Sequence, residues 1–161
     1  DEQQHENEDI NTLVKRLAIE KASFIAKLHK EGLIIGSDQA AECDSKILGK
    51  PGNHENAKQQ LLGMSGKNVN FHTSVCLLNA KTQSFEADVI IYSVVFRDLS
   101  EQEIDSYLSK EQPFNCAGSF KSEELGISLL KKMEGDDPTA LIGLPLIRLC
   151  EMLRKQGIDL P

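Results

Sequence analysis

Polar residues that could handle phosphate groups follow two short apolar runs in the first part of the chain. Leu33-Ile34-Ile35 leads into Gly36-Ser37-Asp38-Gln39, and Ile47-Leu48 leads into Gly49-Lys50-Pro51. Each run is typical of a buried strand that delivers polar groups at its end. A carboxylate can hold a metal ion or deprotonate water, and a lysine can neutralise phosphate oxygens. The pattern therefore indicates phosphate chemistry.

The length and charge of the chain limit the functions that it can have. Its 161 residues suit one globular domain with a substantial core. The balance of 18 basic against 25 acidic residues gives a net charge of −7, which argues against binding to nucleic-acid polymers or anionic membranes. No apolar stretch approaches the ~18 residues of a membrane span. Cysteines without metal-site or redox-motif spacing favour a reducing cytoplasm; they are Cys43, Cys76, Cys116 and Cys150.

Hydrophobic periodicity predicts helices and strands in alternation. We predict a long helix from about Ile10 to Lys30, a helix from about His54 to Met64 and a closing helix from Pro145 to Lys155. Residues 69–78 and 85–96 read as the two arms of a long antiparallel hairpin. Further expectations are a capping box at Ser100 and Glu103, a possible strand after 113–120, a strand at 127–133 and a sharp turn at 135–138. The fold class is α/β, a single domain with a mixed twisted sheet flanked by helices.

Six short segments carry a further signal. In chain order they are Asp1-Glu2, residues 17–22 (LAIEKA), 35–39 (IGSDQ), 47–51 (ILGKP), 116–120 (CAGSF) and 143–146 (GLPL). Taken together, these segments resemble the Maf family of nucleoside triphosphate pyrophosphatases over essentially the whole chain. Three details are similar to the 7-methyl-GTP pyrophosphatase subfamily: Gln39 after the aspartate, Lys121-Ser122-Glu123, and residues 134–138 (EGDDP).

The resemblance implies a Maf/ITPase-like domain over residues 1–161. Members of the family begin with a strand and a serine- and arginine-rich loop, roughly thirty residues ahead of the Asp-Glu pair. That loop is thought to grip the triphosphate. We expect the 161 residues to lack this strand and loop.

The resemblance also assigns the chemistry. The family reaction cleaves between the α and β phosphates of a nucleotide and releases pyrophosphate. By resemblance, Asp38 is the general base or a metal-linked equivalent, and Glu2 is a second acid that binds metal or orients water. Lys50 and Lys21 match lysines near the phosphates. Two carboxylates, Asp38 and Glu2, suit Mg²⁺, with Mn²⁺ as the alternative ion.

Two positions are expected to select the substrate. Methylation at ring nitrogen 7 leaves guanine with a delocalised positive charge, which a carboxylate on the Watson–Crick edge can offset. Such a charge-assisted hydrogen bond contributes roughly twice a neutral one. The resemblance gives this place to Glu123, with Gln39 as the other selective residue. The sequence therefore predicts hydrolysis of 7-methyl-GTP to 7-methyl-GMP and pyrophosphate.

Two other functions remain open. One is the same reaction on the pyrimidine nucleotides dTTP and UTP, although the sister subfamily carries threonine and glutamine where this chain has Gln39 and Glu123. The other is a non-catalytic nucleotide-binding regulator of cell division. For all three the expected partner is a nucleoside triphosphate, and family habit alone favours a homodimer.

Overall fold

The computed structural model describes residues 4–161, in which helices and strands alternate. The elements are α1 (Ile10–Ala26), β1 (Leu33–Cys43), β2 (Lys46–Leu48), α2 (His54–Met64), β3 (Asn68–Asn79), β4 (Phe85–Phe96), α3 (Glu101–Glu111), β5 (Leu130–Glu134), α4 (Pro138–Ile142) and α5 (Leu146–Lys155). Single 3₁₀ turns cover Ala117–Ser119 and Leu125–Leu129. None of these helices is long and apolar enough to cross a membrane.

The strands form one five-stranded sheet in the order β2-β1-β3-β4-β5. The end of β1 pairs antiparallel with β2, from Ala41 opposite Leu48 to Cys43 opposite Lys46. Strands β4 and β5 also run antiparallel, with an irregularity between Val95 and Phe96. The α/β prediction, with one sheet flanked by helices, is confirmed.

Residues group into two compact units. The first comprises His72–Ile90, Asp137–Pro161 and the described residues up to Gln39. In this unit α1 covers one face of β1 and β3, where Ala18, Ala22, Cys76 and Leu78 pack together. Helix α5 covers the other face, on a cluster that includes Val75, Leu77, Leu149 and Met152. Side chains alternate along a strand, so consecutive residues of β1 and β3 serve opposite faces.

The second unit comprises Ala40–Phe71 and Ile91–Asp136. Three buried phenylalanines form its aromatic core: the ring of Phe120 lies 5.8 Å from that of Phe71 and 5.4 Å from that of Phe96. Helices α2 and α3 pack against each other, and Lys58 joins them by ion pairs to Glu101 and Asp105. Helix α3 begins with the predicted capping box of Ser100 and Glu103.

Most predicted elements are confirmed, and the differences have local causes. Helix α1 ends at Ala26 rather than Lys30. Residues 113–120 form the predicted loop, but no strand follows directly: Leu125–Leu129 is a 3₁₀ turn, so β5 begins at Leu130 and not at residue 127. The predicted turn at 135–138 leads into a helix that the prediction missed, α4, because Asp137 caps it and Pro138 suits its first position. Within the hairpin, Val75 and Val94 are fully buried, whereas Ile91 is 46% exposed.

Gly36 sets how closely α1 approaches β1. A Cβ atom on Gly36 would lie 2.2 Å from the carbonyl oxygen of Ala18 and 3.1 Å from the Cβ of Ala22. No side chain fits in that space, so glycine is required by the packing of the helix and not by its own backbone angles. The small residues of α1 complete the close contact, since Ala18 and Ala22 are fully buried.

The first prediction concerns this contact. Replacing Gly36 with Ala should lower the free energy of unfolding by about 2–3 kcal/mol, because the new methyl group must push α1 away from the sheet. The matched control is Gly63→Ala in α2, where an added Cβ meets nothing within 4 Å. It should leave stability unchanged or raise it by about 0.5–1 kcal/mol through helix propensity. Urea unfolding measures both, and equal stability of the two variants would contradict the prediction.

Candidate active site

Asp38 and Lys21, both in the first unit, form an ion pair. The Lys21 ammonium nitrogen lies 2.5 Å from Asp38 Oδ1. The Asp38 side chain is 14% exposed and that of Lys21 is 42% exposed, so both groups can still be reached from solvent. Lys21 follows Ala18 by one helical turn on α1, and the close contact at Gly36 therefore helps to bring its side chain over β1.

The backbone of Asp38 is held by a buried hydroxyl. Its N–H donates to Ser74 Oγ at 3.2 Å, and Ser74 Oγ lies 2.6 Å from the carbonyl oxygen of Val14, to which it can donate. Ser74 is completely buried. One serine thus links β1, β3 and α1 at the level of Asp38. This arrangement gives the carboxylate a rigid support, as a general base or a metal ligand requires.

Asp38 lies inside a strand and not at the end of one. The sequence predicted that Asp38 and Gln39 would lie at the end of the strand, but β1 continues to Cys43. The prediction was wrong on this point because polar residues within β1 find partners on neighbouring elements. Ser37 is an example: its hydroxyl lies 2.7 Å from the carbonyl oxygen of Ser74 and 2.6 Å from that of Gly143.

Gln39 points to the opposite side of β1. Its amide nitrogen donates to Thr73 Oγ1 at 2.8 Å and to the carbonyl oxygens of Ala140 and Leu141 at 2.9 and 3.1 Å. Thr73 is fully buried and donates its own hydroxyl hydrogen to Ala140. Because the partners of Gln39 are acceptors, its nitrogen end must face α4. Asp38 and Gln39 are therefore adjacent in sequence but lie on different faces of the sheet.

Helix α4, which receives Gln39, is itself fixed by a buried carboxylate. Asp137 is 3% exposed and accepts from the N–H of Thr139 at 3.0 Å and from the N–H of Ile147 at 2.9 Å. The Thr139 hydroxyl lies between the two helices, donating to Asp137 and accepting from the N–H of Leu146. The segment similar to the 7-methyl-GTP subfamily, residues 134–138, thus includes the residue that joins α4 to α5.

Lys50 belongs to the second unit, in a turn that directly follows β2 as predicted. The backbone on both sides of this lysine is anchored. The carbonyl oxygen of Gly49 accepts from the side chain of Gln60 at 3.2 Å, and the N–H of Gly52 donates to Phe114 at 2.9 Å. The Lys50 side chain itself is exposed. A fixed turn with an exposed ammonium group suits contact with an anionic ligand.

Glu123 also lies in the second unit, on the turn between the two 3₁₀ segments, and it is exposed. Its neighbour Glu124 shares a hydrogen bond with Glu111 of α3. That bond lowers the pKa of Glu111 and raises the pKa of Glu124.

Glu2 lies outside the described residues. Among residues 4–161, no group of three or more His, Cys, Asp or Glu side chains comes together as a metal site.

Of the four cysteines, all free thiols, Cys76 is the most deeply buried, and burial raises the pKa of its thiol to about 11. It is a core residue without nucleophilic character.

Sequence reasoning did not find the hydroxyl residues that support the site. Thr73 and Ser74 stand within the apolar run of β3, and Ser37 stands within β1. A polar side chain in a buried strand must find a hydrogen-bond partner, which is a signal that could have marked them. Their partners could not be named, since those lie as far as 106 residues away in the chain.

Comparison with known proteins identifies the class. The sequence pattern of the family described as Maf-like protein matches residues 1–156. The chain belongs to the Maf family. It is 56% identical over 144 residues to the 7-methyl-GTP pyrophosphatase of Methylobacillus flagellatus. The aligned residues make up 89% of this chain and 75% of the relative.

Further relatives match almost the whole chain. The 7-methyl-GTP pyrophosphatase of Colwellia psychrerythraea is 51% identical over 99% of this chain and 80% of its own length. The protein of the same description from Alcanivorax borkumensis is 50% identical over 100% of this chain and 82% of its own length.

The second prediction concerns Gln39. Replacing it with Leu keeps the size of the side chain but removes the donor to α4. The carbonyl oxygen of Leu141 loses the amide hydrogen that it accepts, and that of Ala140 keeps only its other donors, which include the Thr73 hydroxyl. The free energy of unfolding should fall by about 1–3 kcal/mol. The control is Gln59→Leu on α2, where the amide donates only to exposed Glu55 one turn earlier, and little change is expected. Urea unfolding measures both, and a Gln39→Leu variant as stable as the control would refute the assignment.

Proposed function

We propose that the protein is a nucleoside triphosphate pyrophosphatase that hydrolyses 7-methyl-GTP to 7-methyl-GMP and pyrophosphate. The observation that carries this proposal is the similarity, at about half of all positions and over nearly the whole chain, to relatives named for that activity. The ion pair between Asp38 and Lys21 also supports the proposal, because it places a carboxylate and an ammonium group side by side within reach of solvent. Removal of a modified nucleotide from the cell is the corresponding role.

In the proposed reaction water attacks the triphosphate, and the bond between the α and β phosphates breaks. Asp38 takes a proton from the water. The pyrophosphate leaves with additional negative charge, which lysine ammonium groups offset. Lys21 and Lys50 have this role, Lys21 beside Asp38 and Lys50 from its anchored turn.

We expect a divalent metal ion, Mg²⁺ or Mn²⁺, to take part. The Asp38 carboxylate fits the preference of Mg²⁺ for hard oxygen ligands, and it is reachable from solvent. Since the described residues contain no larger cluster of ligands, an ion at Asp38 would depend on Glu2, phosphate oxygens and water for its other ligands. A bound ion would supply positive charge against the phosphates.

Selection of the base is assigned to Glu123 and Gln39. Glu123 presents an exposed carboxylate, which can accept from the N1 and N2 hydrogens of 7-methylguanine and offset its positive charge. Gln39 has its amide nitrogen engaged by Thr73 and α4, so its carbonyl oxygen is the atom that remains to accept from a substrate donor. Such an acceptor distinguishes substrates by their N–H and O–H groups.

The nucleotide is the proposed partner, and we expect the enzyme to work in the cytoplasm without nucleic-acid polymers or membranes. The four cysteines are free thiols, which suits a reducing compartment. The net charge of −7 opposes binding to polyanions. A homodimer remains a prediction from family habit.

The third prediction tests the catalytic assignment. Asp38→Asn keeps the shape of the side chain but cannot take a proton at neutral pH, so kcat for 7-methyl-GTP should fall at least ~100-fold. Lys21→Met should also lower kcat, because a charge beside Asp38 is lost. The control is Lys15→Met, an exposed lysine of the same helix, which should retain full activity. Pyrophosphate release with Mg²⁺ measures all three, and an active Asp38→Asn variant would exclude this residue as the base.

The fourth prediction separates the candidate functions. Wild-type protein should release pyrophosphate from 7-methyl-GTP and not from UTP or dTTP. Glu123→Gln replaces a charge-assisted hydrogen bond by a neutral one and should lower kcat/KM for 7-methyl-GTP about 10-fold more than for GTP. The control is Glu134→Gln, an exposed glutamate paired with Lys132. Equal losses on all nucleotides would reject Glu123 as the base reader, and release from UTP or dTTP would favour the pyrimidine activity. No release from any nucleotide would favour the regulator.

A further inference from the structure

Two side chains of helix α3 accept hydrogen bonds from the backbone of the turn that carries Glu123. The N–H of Lys121 donates to the hydroxyl oxygen of Tyr107 at 3.2 Å, and the N–H of Leu125 donates to Glu111 Oε2 at 3.1 Å. The Lys121 ammonium group lies 3.5 Å from the other oxygen of Glu111. The two anchored amides are at the two ends of the turn, with Glu123 midway between them.

The anchors are buried although the turn is exposed. The Glu111 side chain is 3% exposed and Tyr107 is 4% exposed. A buried carboxylate is costly unless its oxygens are occupied, and those of Glu111 are occupied by groups of this turn. Glu111 is also bonded to the carboxyl of Glu124, next to Glu123. Loss of the turn's conformation would therefore leave Glu111 buried without partners.

Tight closure of the chain supports the same conformation. A Cβ atom on Gly126 would lie 2.1 Å from the carbonyl oxygen of Lys121 and 2.8 Å from the ring of Phe120. The turn thus folds back onto its own beginning, over the buried ring of Phe120. Its backbone has little freedom, whereas the Glu123 side chain remains exposed.

We propose that Glu111 and Tyr107 are positioning residues that set the direction in which Glu123 is presented to the methylated base. This inference rests on the proposed function of Glu123. A carboxylate that reads two N–H groups must be held within about 0.5 Å of its productive position, and an exposed glutamate on a loose loop does not meet that condition. Two buried side chains from α3 supply the fixed support.

The fifth prediction follows from this support. Glu111→Ala removes an anchor, and kcat/KM for 7-methyl-GTP should fall about 10-fold while that for GTP changes little. The double variant Glu111→Ala/Glu123→Gln should be no less selective than Glu123→Gln alone. Once the Glu123 carboxylate is gone, its misplacement by Glu111→Ala has no further effect. Glu111→Gln retains an acceptor for the N–H of Leu125 and should restore most of the selectivity. Tyr107→Phe should show a smaller loss of the same kind.

A control distinguishes positioning from general stability. Glu103→Ala, in the same helix, removes the capping box and the ion pair with Arg97 without touching the turn. It should lower the melting temperature but leave the preference for 7-methyl-GTP over GTP unchanged. Amide hydrogen exchange supplies a readout that needs no substrate: Glu111→Ala should speed exchange at Lys121 and Leu125 at least ~10-fold, while Glu103→Ala should not.

The outcomes separate this inference from the proposed function. Unchanged exchange at Lys121 and Leu125 in Glu111→Ala overturns the inference whatever the substrate is. Full selectivity in Glu111→Ala, when Glu123→Gln has lost it, also overturns the inference but leaves the proposed function intact. If wild type does not hydrolyse 7-methyl-GTP, or if Glu123→Gln keeps its selectivity, the proposed function of Glu123 fails and the inference fails with it.

Discussion

Strand β1 runs between two helical layers, and the alternation of its side chains decides what each of its polar residues can do. Gly36 and Asp38 face α1, where glycine admits the helix and the carboxylate meets Lys21. Ser37 and Gln39 face the other layer and bind Gly143 and the carbonyl oxygens of α4. A shift of one residue would exchange the two sets and bury the carboxylate against backbone oxygens. The placement of the Asp38–Lys21 pair thus depends on the register of one strand.

Two of the polar side chains proposed for function stand on backbone that a buried polar group holds. Ser74 supports Asp38, and Glu111 supports the turn of Glu123. The turn of Lys50 is held by the side chain of Gln60. A buried polar group without a partner costs about 1–3 kcal/mol, so movement of the Asp38 segment or of the Glu123 turn is penalised.

Much of the fold was predictable, because its signals are local. Helix α2 has the predicted ends, and the capping box of α3 was read from Ser100 and Glu103. The hairpin of β3 and β4 follows from β-branched residues on both sides of a short turn. Helix α4 was missed because a five-residue helix leaves too short a pattern to recognise. The length of β1 was underestimated because the partners of its polar residues lie far away in the chain.

Residue types and their spacing determined the family and the α/β class, and they named the residues that are proposed to carry the chemistry, since these depend on short motifs that can be read in place. Only the tertiary structure decided that Lys21 binds Asp38 and that Gln39 faces the opposite side of β1, towards α4. The same is true of the support that α3 gives to the turn of Glu123. Each of those facts is a contact between segments distant in sequence. Such a contact exists only when helix packing and strand register bring its two sides together, and no local pattern encodes either.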